Sequence, residues 1–189
     1  IETVREEKAD LGIAFDGDTD RIGAVDDEGN IIWGDELMIL YSREILDQNP
    51  GATIVAEVKC SKNLYDEIEK RGGRGIMWKA GHSLIKAKMK EEKALLGGEM
   101  SGHIFFNDKW PGFDDAIYAG ARMLEIISSY SKNDDILSTL PKLACTPEIN
   151  IKTTDDDKFK IVEKFKNLAN FPNSTLINID GIRIEFENG

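Results

Sequence analysis

Leu11-Gly12-Ile13-Ala14-Phe15-Asp16-Gly17-Asp18-Thr19-Asp20-Arg21 begins apolar and ends in acids. Its first five residues read as a strand, and the rest as the loop which that strand delivers. Carboxylates stand at Asp16, Asp18 and Asp20. In extended backbone alternate side chains point the same way, so the three are expected to converge on one point. Converging oxygens with no His or Cys beside them favour a hard cation, most simply Mg2+, which keeps positions for water and substrate phosphate. Arg21 adds a planar, permanently charged fork suited to a phosphate. Metal and arginine together point to phosphoryl transfer.

Other readings of the same loop remain open. Acidic turns after strands are common, and Asp and Gly are ordinary turn residues. A calcium loop of the EF-hand kind fits the first ligand positions, then fails at Arg21, where Gly is needed, and at Asp27, where Glu is needed. A phosphatase of the haloacid dehalogenase type, with Asp16 as nucleophile, would want a hydroxyl residue where Asp20 stands.

The wider composition narrows the field. At 189 residues the chain can bury one substantial core or divide into two unequal domains. Its apolar content of 41% is that of an ordinary globular protein, and no apolar run reaches membrane-span length. A net charge of -11 disfavours nucleic acid and anionic membrane as partners. Lys59, Lys62, Lys79, Lys86, Lys88 and Lys90 leave room for a local basic pocket. Cys60 and Cys145 make no disulfide scaffold and suit a reducing cytoplasm. The chain opens on Ile1 without an initiator Met and stops at Gly189 directly after an alternating strand, so both ends are expected to be cut from a longer protein.

Strands are expected at 11–15, 22–26, 53–56, 75–78, 94–98 and 103–106, and helices from an Asp35 cap, from a Ser61 cap to Arg71, over 83–90 and over 114–128. This alternation predicts an α/β layer with helices packed on a sheet. A shorter helix over 134–140 ends at Pro141. Beyond a boundary near Lys142 come a strand at 148–151, a helix from Thr154/Asp155 to Leu168, and a hairpin of 175–179 with 182–186. That unit reads as an incomplete α+β domain.

Three further loops follow predicted strand ends, where α/β sheets bind ligands. Glu57-Val58-Lys59-Cys60-Ser61 places a lysine before a helix, suited to a phosphate or to acid–base work, or else simply a surface lysine. In Lys79-Ala80-Gly81-His82-Ser83, Gly81 permits close backbone approach and His82 and Ser83 offer donors, unless Ser83 is only a helix cap. In Gly98-Glu99-Met100-Ser101-Gly102-His103, acceptor, hydroxyl and imidazole alternate, a combination suited to vicinal sugar hydroxyls.

These motifs, taken in order, resemble the α-D-phosphohexomutase superfamily, most closely its bacterial phosphomannomutase/phosphoglucomutase branch. The carriers are the Asp16–Arg21 loop, Val58-Lys59-Cys60, Lys79-Ala80-Gly81-His82-Ser83 and Gly98-Glu99-Met100-Ser101-Gly102-His103, extended by Phe113-Asp114-Asp115 and Thr146-Pro147-Glu148. The resemblance implies a Mg2+-dependent enzyme that interconverts hexose 1- and 6-phosphates (of mannose or glucose) through a bisphosphorylated sugar. It implies the phosphohexomutase α/β/α fold, with residues 1–30 as the tail of domain 2, 31–142 as domain 3 and 143–189 as an incomplete domain 4. Asp16, Asp18 and Asp20 would hold the metal and Arg21 would face a phosphoserine. Lys59 and His82 would serve proton transfer and phosphate contact. Gly81, Glu99, Ser101 and His103 would line the sugar site. The phosphoserine loop of domain 1 and the phosphate clamp of domain 4 would be the missing parts of the parent chain, leaving this piece inactive alone. Metal loop and sugar loop would then belong to different domains, and Glu99→Ala is expected to leave Mg2+ affinity nearly untouched. The rival is a stand-alone module that binds sugar phosphate or Mg2+ and does no chemistry.

Overall fold

The structure, a computed structural model, describes residues 1–130, 136–142 and 146–186. Contacts divide the chain into two compact units, Ile1–Pro141 and Lys142–Gly189.

The first unit opens with a short helix α1 (Glu2–Glu7) and a small antiparallel sheet of β1 (Leu11–Phe15), β2 (Ile22–Asp26) and β3 (Ile31–Ile32). Neither α1 nor β3 is signalled in the sequence. Then come α2 (Gly34–Gln48), β4 (Thr53–Glu57), α3 (Lys62–Lys70), β5 (Arg74–Trp78), α4 (His82–Glu92), β6 (Leu96–Gly98), β7 (Ile104–Phe106) and α5 (Ala116–Ser129). Strands pair in the order β5-β4-β6-β7, with β4 parallel to both β5 and β6, and β6 antiparallel to β7. This is the α/β layer that the sequence predicts.

Alternation along each strand sets the layers. Ile54 and Ala56 face a core with α2, α3 and α5, whereas Val55 between them faces Ile85 and Met89 of α4. Ile104 and Phe106 likewise join the first core and Phe105 the second. Helices therefore cover both faces of the sheet, as a mostly parallel sheet requires. Helix α2 is buried on every side over Leu37, Met38, Ile39, Leu40 and Tyr41, all with 0% exposure. An apolar surface running all round a helix marks a buried one. The thin strand β6 admits helices on both faces: a Cβ on Gly97 would run into Met89 Sδ, and one on Gly98 into Met38 Sδ.

Two expectations fail locally. Asp35 is not the cap of α2; Trp33 holds that position, and its N–H is taken by the Glu36 carboxylate at 2.8 Å. Asp35 is buried and accepts instead from the backbone N–H of Ser61, 3.0 Å away across the fold. Of the helix expected over 134–140, the described part is a 3-10 turn at Leu137–Thr139, the earlier residues lying outside those described.

In the second unit α6 (Asp155–Leu168) precedes a hairpin of β8 (Ser174–Ile177) and β9 (Arg183–Phe186). Phe171 bridges them, with its ring near those of Phe165 and Phe186. The strand expected at 148–151 does not form: Ile149 and Ile151 are 82% and 84% exposed, and a strand without a pairing partner gains nothing from its pattern. Among the described residues no helix is long and apolar enough to cross a membrane.

Arg122 of α5 is 3% exposed and forks between Asp108, at 2.9 and 3.1 Å, and Glu44 of α2. Removing one partner of such a buried pair strands the other charges. Arg122→Met should therefore destabilise the protein by about 3–5 kcal/mol, read from urea unfolding at neutral pH. A loss under about 1 kcal/mol would mean that water reaches Asp108 and Glu44 and screens them as it does surface pairs.

Candidate functional site

The parallel strands β4, β5 and β6 end side by side, and each delivers a loop at its C-terminal end: 58–61, 79–81 and 99–103. The acidic loop between β1 and β2 joins them, since Ile22 N–H donates to Gly102 O at 3.1 Å and Ala116 N–H to Thr19 O at 3.1 Å.

The acidic loop is not extended. It is a hairpin turn in which Thr19 N–H donates to Asp16 O, with Thr19 itself left-handed at φ 62°. Curvature of the turn, rather than strand alternation, brings Asp16, Asp18 and Asp20 oxygens within 4.8 Å of one another. Oδ1 of Asp20 is buried and accepts no hydrogen bond, with Arg21 Nε 3.7 Å away. An all-oxygen donor set with one such orphaned oxygen fits a hard divalent cation. Arg21 turns onto Asp16, donating its backbone N–H to Oδ1 at 3.1 Å and Nε to Oδ2 at 2.7 Å. Desolvation works against the Asp16 charge, but these hydrogen bonds outweigh it and hold the carboxyl below its ordinary range.

His103 stands at the centre. Its Nε2 lies 3.2 Å from Asp20 Oδ2, and its Nδ1 lies 2.9 Å from Glu99 Oε2 and 3.0 Å from Ser101 Oγ. Both ring nitrogens therefore face carboxylate oxygens. The other oxygen of Glu99 accepts from Gly81 N–H at 2.5 Å. Glu99, Gly81, Ser101 and His103 are thus brought together, in a turn rather than an extended segment, with Gly102 N–H closing onto Glu99 O at 3.0 Å. Glu99 is itself 4% exposed, and Ser101 is open to solvent. The acidic loop and the Glu99 loop are not independent, because one imidazole spans Asp20 and Glu99.

His82, more than half exposed, stacks on His103 with ring centroids 5.6 Å apart, and its Nδ1 faces Asp114 Oδ2 at 3.3 Å. It is the first residue of α4, with Gly81 at φ 123° as the cap, so Ser83 does not cap this helix. Lys59 is exposed in the turn beyond β4, with its charge close enough to act on Glu57.

Sequence reading misses the carboxylates that face inward. Glu57 closes an apolar strand at 1% exposure, and its Oε1 accepts from Met100 N–H at 2.7 Å. Burial pushes its carboxyl above the ordinary value, as does the neighbouring Glu99. The only signal is an acid ending a buried run. Asp114 accepts from Lys86 at 2.9 Å, a partner on α4 that spacing does not reveal.

The fold that carries these loops agrees with known proteins. Residues 33–143 match the family model described as phosphoglucomutase/phosphomannomutase, alpha/beta/alpha domain III. The chain belongs to this family. A phosphomannomutase/phosphoglucomutase from Pseudomonas syringae pv. tomato is 50% identical over the whole chain, and a phosphoglucomutase from Neisseria gonorrhoeae is 44% identical. The chain spans 41% and 42% of those two proteins' lengths. A crystal structure of a phosphoglucomutase/phosphomannomutase family protein from Burkholderia thailandensis superposes at a TM-score of 0.92 with 42% identity, covering 99% of this chain and 40% of that one. The fold expectation, a phosphohexomutase α/β/α layer, therefore holds.

Asp114 gives the site a pH signature. Burial raises its carboxyl, but the Lys86 hydrogen bond and the charges of Lys86 and His82 more than offset this, and the net shift is downward. A depressed folded-state value adds stability that is complete above the unfolded value near 4 and is lost as pH falls through the lower folded value. The stability gap between wild type and Asp114→Asn should be widest at pH 7 and should close below about pH 4. Urea unfolding at several pH values checks this, and a gap independent of pH would exclude the ion pair as its source.

Proposed function

We propose that this chain supplies the metal loop and sugar-binding loops of a phosphohexomutase, an enzyme that interconverts hexose 1-phosphate and hexose 6-phosphate, of mannose or glucose, through a bisphosphorylated sugar. The observation that carries the reading is His103, held between Asp20 of the acidic loop and Glu99 of the sugar loop. A cation site, an imidazole and hydroxyl-recognising groups in one contact chain are what transfer of a phosphoryl group to a sugar hydroxyl demands.

Asp16, Asp18 and Asp20 would hold Mg2+, which when bound neutralises charge on the transferring phosphoryl group. Arg21, freed from Asp16 by that cation, would meet the phosphate of an enzyme phosphoserine. Lys59 and His82 face the same end of the sheet and would contact phosphate or move a proton at the sugar hydroxyl. Ser101 offers an exposed hydroxyl, and Glu99 fixes both Gly81 and His103 around it. The bisphosphate must turn over between its two half-reactions. Groups that recognise hydroxyls and phosphate in either order suit that requirement.

In this reading residues 1–30 serve as the end of a second domain, 31–142 as the third and 143–189 as part of a fourth, within a cytoplasmic enzyme. The 189 residues alone are expected to turn nothing over, because the resemblance places the phosphorylated serine outside them. Their Mg2+ affinity should be millimolar at best without that phosphate oxygen.

The experiment is turnover of glucose 1-phosphate by the whole enzyme that carries this chain, as a function of Mg2+. Asp18→Asn should raise the Mg2+ requirement. Glu99→Ala should lower kcat/KM about ten- to a hundredfold, from loss of a charge-assisted hydrogen bond, and should shift the Mg2+ requirement too, through His103. Phosphate release by the 189-residue chain that vanishes in Asp16→Asn would instead mark a phosphatase that uses Asp16 as nucleophile.

A further inference from the structure

Loop 99–103 is fixed from three directions. Helix α2 approaches it so closely that a Cβ on Gly34 would strike the carbonyl oxygens of Glu99 and Met100. Strand β2 holds it through Ile22 N–H to Gly102 O. Strand β4 holds it by a side chain, the Glu57 carboxylate on Met100 N–H. The first two anchors are backbone contacts of fixed reach. The third depends on one residue type.

A carboxylate buried beside a second carboxylate is costly, and an apolar residue would fill the same space with less penalty. The acid contributes a short bond from a backbone N–H to an ionised acceptor, about twice as strong as a neutral one. Glu57 also ends the strand whose next turn carries Lys59. One side chain therefore links the segment bearing Lys59 to the segment bearing Glu99, Ser101 and His103.

We propose that Glu57 is a positioning residue, whose buried carboxylate sets loop 99–103 relative to Lys59 through the Met100 N–H. Its catalytic consequence rests on the mutase reading above; the clamp itself does not. Glu57 touches no substrate in this assignment. It acts through the loop, and a reacting hydroxyl displaced by about an ångström loses much of its rate.

Three variants and two readouts test it. Glu57→Gln keeps an acceptor oxygen in place, Glu57→Met keeps the size without an acceptor, and Glu57→Asp keeps the charge but is one methylene too short to reach Met100. In the whole enzyme at saturating Mg2+, Met and Asp substitutions should lower kcat about ten- to a hundredfold with KM changed less, the size expected for a lost charge-assisted bond. Glu57→Gln, which keeps an acceptor oxygen without the charge, should be the least impaired of the three. In parallel, amide exchange at Met100 should accelerate in the Met and Asp variants, while Val55 in the strand core keeps its protection.

If Glu57→Met does not fold, Glu57→Asp carries the same test. Wild-type kcat in a folded Met or Asp variant would overturn the proposal, as would a Gln variant as impaired as the others. Should wild type show no mutase turnover, the mutase reading fails, and exchange alone decides the clamp. Unchanged Met100 exchange across the variants would then overturn it.

Discussion

Helix α2 has no solvent face through its middle turns, and the rest of the first unit is organised by that burial. A helix without an exposed stripe must be surrounded, so sheet, α3 and α5 all pack around it. Its start then lies directly beneath the strand ends. Gly34 and Asp35, the first residues of α2, are consequently parts of the site's foundation as well as of a helix.

From that foundation the loops are tied to one another by inward-facing carboxylates. Asp35 takes the Ser61 N–H, Glu57 takes Met100, and Glu99 takes Gly81. Each acid belongs to one segment and grips the backbone of another. Loops on an α/β sheet are commonly the mobile part of the molecule. Here buried hydrogen bonds to side-chain carboxyl oxygens make these loops an extension of the core.

Much of this was legible in the sequence, for definable reasons. The apolar runs at 53–56 and 75–78, with glycines and polar clusters behind them, specify buried parallel strands, and the loops after them follow from that topology. Local turn geometry was less legible. Alternation at 16, 18 and 20 suggested extended backbone, whereas a hairpin turn with left-handed Thr19 produces the convergence. Spacing also hides long-range partners: nothing near Asp35 announces Ser61, and nothing near Asp114 announces Lys86. At 148–151 a sound strand pattern met no partner, and pairing rather than pattern makes a strand.

That last segment has a consequence for handling the protein. Ile149 and Ile151 are β-branched, separated by one residue and almost fully open to water. Apolar residues of strand-forming type that no strand covers among the described residues are open to pairing with another molecule of this chain. Such pairing between molecules depends on concentration, so dilution limits it.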